Sequence, residues 1–249
     1  MKISRREFVG KTAVSASGLC LMGPREFRRV ASRAVSDFVL IDLEADCVLR
    51  ESLEGYRMAL GERHACATMP GMAELESCRM VIVPGAGLMN SATASKLLDL
   101  LSEGADVLLE SGAGFLRPPE FTAHRDALRK YFGVDVLPSQ NVWTADRDFT
   151  ASGSVPYVSY TWPCKSMVRD FSSVVPISGP ENEVIGRIRK LPLALRKRVA
   201  NGMLVFIGSP LGPALRAGDS EAHHWLGSIA KQYLRFDMDR RESINSLRD

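Results

Sequence analysis

Two apolar runs, Arg79–Val83 (RMVIV) and Ala105–Leu109 (ADVLL), constrain the fold more than any other feature of the chain. Each stops on small residues: Pro84-Gly85-Ala86-Gly87 after the first, Glu110-Ser111-Gly112-Ala113-Gly114 after the second. A strand that is apolar on consecutive positions is buried on both faces, the habit of parallel sheets covered by helices. The stretch between the runs supplies such a cover. Asn90 or Ser91 can cap a helix, Leu97, Leu98 and Leu101 share one side of it, and Gly104 ends it.

The same alternation extends in both directions. Asp37–Leu43 reads as a first strand, about Cys47 to Leu60 as a helix, and His64–Thr68 as a weak strand ended by Met69-Pro70-Gly71. A helix from about Pro119 to Phe132 follows the second glycine-rich turn. Strands alternating with amphipathic helices predict an α/β fold: a doubly wound, mostly parallel sheet with helices on both faces, in one domain over residues 35–236. Residues 138–180 are rich in Ser, Pro and aromatics and lack periodicity, so they are expected to form an irregular excursion. Val184–Arg189, Leu193–Lys197 and Met203–Gly208 read as strands, the last two joined near Asn201-Gly202, a strong turn pair. Asp219 or Ser220 opens a closing helix whose stripe is Ala222, Trp225, Leu226, Ile229 and Tyr233. Residues 237–249 form a charged tail.

The N-terminus carries an export pattern. Ser4-Arg5-Arg6-Glu7-Phe8-Val9-Gly10-Lys11 matches the order of a twin-arginine signal, followed by the weakly apolar Ala13–Met22 and a basic, small-residue zone from Pro24 to Ala34. Residues 1–34 are therefore expected to be a signal peptide and cleavage zone. The expected partner during export is the twin-arginine translocase, and the expected destination is periplasmic or extracellular. The apolar run is too short and too polar to span a bilayer, and no membrane anchor is expected.

Charge and cysteines narrow the rest. The whole chain has 32 Lys+Arg and 29 Asp+Glu. The leader holds eight of the bases and two of the acids, leaving 24 against 27 in the remaining 215 or so residues. With no basic patch interleaved with aromatics, nucleic acid is not an expected partner. Cys47, Cys66, Cys78 and Cys164 fit no zinc spacing, so no metal or other cofactor is expected. Disulfides and buried free thiols both stay open.

Val81-Ile82-Val83-Pro84-Gly85-Ala86-Gly87 resembles the strand and loop of class I glutamine-amidotransferase-like domains, and Ala105–Phe115 (ADVLLESGAGF) resembles their strand and nucleophile elbow. The resemblance implies a flavodoxin-like sheet with its site at the strand ends, where an elbow lifts one side chain above the sheet. It also marks what is missing. Gly112 stands where the family has its catalytic cysteine, and Gly208-Ser209-Pro210-Leu211-Gly212 lacks the His-x-Glu pair. The implied function is a non-catalytic, amidotransferase-like protein that binds an unidentified small molecule or serves as an accessory. Its ligand floor would be Gly85, Ala86, Gly87, Glu110, Ser111, Gly112 and Ala113, with Trp143, Tyr157, Tyr160 and Trp162 as a candidate wall. The competing expectation is a hydrolase using Ser111, which needs a base within hydrogen-bond reach. His64 and His124 are the histidines left for that role, since His223 and His224 fall inside the closing helix.

Overall fold

The computed structural model describes residues 38–68, 78–142, 156–170 and 173–232. They lie in one compact unit, Ser36–Asp249. The leader, the turn at Met69-Pro70-Gly71, Trp143, Tyr233 and the tail at 237–249 lie outside the described residues.

The strands are β1 (Phe38–Asp42), β2 (His64–Thr68), β3 (Met80–Ala86), β4 (Asp106–Ser111), β5 (Asp135–Val136), β6 (Gln140–Asn141), β7 (Tyr157–Tyr160), β8 (Ser166–Arg169), β9 (Ser173–Val174), β10 (Ile177–Ser178), β11 (Val184–Ile188), β12 (Leu191–Val199) and β13 (Gly202–Ile207). The helices are α1 (Arg50–Leu60), α2 (Ser91–Ser102), α3 (Pro118–Ala127), α4 (Gly212–Arg216) and α5 (220–232). Nine strands form one sheet in the order β2-β1-β3-β4-β13-β12-β11-β7-β8, and β10-β5 and β6-β9 form two small ladders.

The first half of this sheet follows from apolar runs joined by helices. β1 pairs in parallel with β2 and β3, and β4 pairs in parallel with β3 and β13. The Val81 and Val107 strands are interior neighbours, with Val81 opposite Val107. Side chains alternate across the strands, so each strand feeds two cores. Phe38, Leu40, Ile82 and Leu108 pack with Tyr56 of α1, Leu215 of α4 and Trp225 of α5. Val39, Val81, Val83 and Leu109 pack on the other face with Leu97 and Leu101 of α2 and with Leu128 and Phe132. Asn90 caps α2 by accepting from the Thr93 N–H at 2.9 Å, and Asp219 does the same for Ala222 at the start of α5.

The second half departs from the doubly wound, mostly parallel flavodoxin-like sheet. β13-β12, β12-β11, β11-β7 and β7-β8 are all antiparallel, so half of the pairings in the large sheet are antiparallel. The cause is local. Two tight hairpins, at Arg189-Lys190 and at Ala200-Asn201, return the chain beside itself, and a short connection cannot make a parallel crossover. The described part of 138–180 is not an irregular excursion either. It contributes β7 and β8 to the sheet, with Val158 and Val168 buried and Tyr157 and Met167 exposed. These strands are four residues long and were hidden by their Ser, Pro and aromatic content.

Candidate functional site

The turns after β3 and β4 meet at the carboxyl ends of the strands, where open α/β sheets place ligands. Alternation along β4 sends Glu110 to the α1 face and Ser111 to the α3 face, and two separate arrangements result.

Glu110 is completely buried. Its Oε2 accepts from the N–H groups of Leu211 and Gly212 at 3.0 Å each, and its Oε1 accepts from the Gly85 N–H at 3.3 Å. One carboxylate thus ties the end of β4 to the turn after β3 and to the start of α4. Burial pushes its carboxyl above the ordinary carboxylate range, opposed by the Ser52 hydroxyl, the Gly212 N–H, the Tyr56 hydroxyl and the Leu211 N–H. The Ser52 and Tyr56 hydroxyls are close enough to exert that pull, but neither makes a hydrogen bond of normal geometry. Burial pushes the Tyr56 phenol well up.

On the opposite face, the Ser111 hydroxyl and His124 Nε2 share a hydrogen bond at 3.2 Å. The Ala113 N–H donates to the same hydroxyl at 3.2 Å. Burial pushes the His124 imidazole down to about 4, against a weaker upward pull from the nearby Gly87 backbone, so the ring is neutral at pH 7. A neutral Nε2 beside a serine hydroxyl is the beginning of a nucleophile–base pair. The rest of that machinery is not assembled around it. Nδ1 of His124 has no hydrogen-bond partner, and the serine and histidine are 1% and 0% exposed.

The glycine-rich floor is filled from within. The segment between β1 and α1 crosses it, with Cys47 bridged to Ala86, the Val48 N–H donating to the Gly85 carbonyl, and the Gly87 N–H donating to the Asp46 carbonyl. The Gly112 N–H is held by the Ala86 carbonyl at 2.7 Å. A Cβ on Gly87 would lie 2.3 Å from Val48 Cγ1, and one on Gly112 would lie 2.5 Å from Val48 Cγ2. Glycine at 85, 87 and 112 is therefore explained by the close approach of the chain's own loop. The N–H groups of Gly85, Gly87, Gly112 and Ala113, on the expected ligand floor, already donate within the protein.

The structure thus brings Gly85, Ala86, Gly87, Glu110, Ser111, Gly112 and Ala113 together, with Val48 packed against Gly87 and Gly112. Among the described residues the aromatic wall does not form there. Tyr160 is buried against Trp225, with ring centroids 4.5 Å apart, and Trp162 lies under the Arg196 guanidinium at 4.6 Å. Both belong to the β7 end of the sheet, with β13, β12 and β11 between it and β4. His64 sits on edge strand β2, and the His223 and His224 side chains lie along α5. The four cysteines among the described residues are free thiols. Among the described residues no cluster of His, Cys, Asp or Glu has the makings of a metal site, and no helix is long and apolar enough to cross a membrane.

Sequence reasoning did not make the choice between His64 and His124 for Ser111, nor foresee the loop that packs on the glycine-rich turns. The first was reachable from alternation along β4, which faces Ser111 toward α3. The second had no local signal, because Val48 reads as an ordinary residue before a helix.

The chain matches no protein-family model and no curated protein. Solved structures do resemble it. The β-galactosidase of the Antarctic haloarchaeon Halorubrum lacusprofundi matches 75% of this chain and 30% of its own length, at 15% identity and a TM-score of 0.54. The exo-β-1,4-mannosidase of Opitutaceae bacterium strain TAV5 matches 84% of this chain and 38% of its own, at 13% identity and a TM-score of 0.54. A cytoplasmic protein of Salmonella typhimurium LT2 matches 76% of this chain and 96% of its own, at 12% identity and a TM-score of 0.50. The chain therefore spans about a third of the length of the glycosidases it resembles. These findings replace the amidotransferase-like assignment, and with it the flavodoxin-like family and the function inferred from it. The likeness in fold is to parts of glycoside hydrolases.

Proposed function

We propose that the chain works in the breakdown of glycosides, as an α/β module of a glycoside-hydrolase assembly. The observation that carries this is the shared fold in a β-galactosidase and a β-mannosidase, over about a third of each enzyme. Glycoside hydrolysis uses two carboxyl groups flanking an open cleft, roughly 5–9.5 Å apart. The buried carboxylates here are occupied, Glu110 by three N–H groups and Asp170 by the Ser209 hydroxyl at 2.7 Å. Where this chain takes part in chemistry, the class is hydrolysis. Export through the twin-arginine translocase to the periplasm or beyond is part of the proposal, since it places the protein where external glycans are met.

The test is co-purification. The full-length chain, isolated from its host under mild conditions, is assayed for release of nitrophenol from the β-galactoside, β-mannoside and α-fucoside. Glycosidase activity that follows the chain at constant ratio through size-exclusion chromatography supports the proposal. Turnover by the recombinant chain alone would also support it, and would move the chemistry onto this chain. A homogeneous native preparation inactive on all three substrates would overturn it.

A further inference from the structure

A cavity of about 430 Å³ opens between β6 and the β11–β12 hairpin, on the same strand-end edge of the sheet as the candidate site but displaced sideways across β13 and β12. Its size is in the range of small-molecule sites. Ile188 and Leu191, which pair across the hairpin, form an apolar floor, and Gln140 and Asn141 supply amides at the rim. The hairpin tip adds two cations, Arg189 and Lys190. Their neighbour Arg187 is paired with Glu181, but among the described residues neither Arg189 nor Lys190 has an ion-pair partner. A concave patch whose two positive charges are unpaired among the described residues is notable in a chain that, outside residues 1–34, carries a small excess of acid.

We propose that this cavity binds an acidic monosaccharide of the uronic acid class. Each part of the lining selects one part of that ligand. The Arg189 fork can take a carboxylate through two hydrogen bonds, and Lys190 adds a point charge beside it. Amides both donate and accept, which matches sugar hydroxyls, and the Ile188–Leu191 floor suits the C–H face of a pyranose ring. A neutral sugar leaves the two cations unused, and an inorganic anion leaves the floor unused. The choice of a sugar acid rests on the glycoside proposal, whereas the demand for an organic anion rests on the cavity alone.

The hairpin provides a clean probe. Arg189 has φ +54°, a conformation that glycine adopts without strain, so Arg189→Gly removes the charge with no cost to the turn. Titration calorimetry of the full chain with D-galacturonate should show saturable binding that weakens as salt rises. Arg189→Gly and Lys190→Gln should each weaken it by about tenfold, the scale of one charge-assisted hydrogen bond. D-Galactose and inorganic phosphate should bind far more weakly. Absence of galacturonate binding, binding untouched by both substitutions, or equal binding of galactose or phosphate would each overturn the proposal. Because the readout is binding, its failure leaves the co-purification result standing, and the reverse is also true.

Discussion

Val48 occupies the volume that any side chain at position 112 would need, its Cγ2 standing 2.5 Å from where a Gly112 Cβ would be. The Gly85 carbonyl oxygen closes the same space from below at 2.8 Å. The loop before α1 is therefore seated on bare backbone, and the turn after β4 carries no side chain above the sheet at this point. This one contact closes the strand-end floor at Gly112.

Gly112→Ala should consequently destabilise the protein by roughly 1–3 kcal/mol, the usual cost of forcing an extra methyl into a packed site. Adding Val48→Ala should recover only part of the loss, because the Gly85 carbonyl is backbone and cannot rotate away. Urea unfolding of the single and double variants checks both statements. A double variant with full wild-type stability would mean that Val48 is the whole obstacle.

His124 gives the protein an acid-side weakness. The folded-state value, about 4, lies below the ordinary 6.5, so on acidification the unfolded chain takes up the proton first. The stability due to the neutral ring is complete above pH 6.5 and is lost as pH falls toward 4, by up to about 3 kcal/mol. His124→Gln lacks this titration. The stability gap between wild type and variant, measured by urea unfolding at pH 7 and at pH 4.5, should shift in favour of the variant at the lower pH. An unchanged gap would count against a buried neutral histidine.

Glu221 guards an open edge of the sheet. Its Oε2 accepts from the Ser166 hydroxyl at 2.8 Å and from the Met167 N–H at 3.2 Å, on the outer strand β8. An uncovered edge is a template for pairing with another chain, and Met167 beside it is 55% exposed. Glu221→Ala should raise self-association at high protein concentration, read by light scattering, while Glu221→Gln should largely keep the wild-type behaviour. Equal behaviour of both variants and wild type would show that the edge needs no cap.

Arg5→Lys with Arg6→Lys should leave the precursor in the cytoplasm, because the translocase recognises the paired arginines. Fractionation with an antibody to the mature region reads the result. Normal export of the double variant would remove the twin-arginine route from the proposed function.

Half of the fold is written in local pattern. The apolar runs at Arg79–Val83 and Ala105–Leu109 had to be buried strands, the leucines of Ser91–Ser102 had to face them, and Trp225 had to point inward, because period and hydrophobicity act within a few residues. Glycine at 85, 87 and 112 reads in the sequence as strand-end turns and a ligand floor, and nothing local says what packs against it. The tertiary structure decided that the visitor is Val48 of the chain itself, that Glu110 is a bracket for Gly85, Leu211 and Gly212, and that His124 is the partner of Ser111. It also decided that Tyr157–Tyr160 and Ser166–Arg169 extend the sheet, although their composition resembles loop. The physical reason is common to all of these. Such contacts join residues 13 to 102 positions apart, or add a strand whose burial comes from its neighbours, and no local periodicity records a partner that only folding brings near.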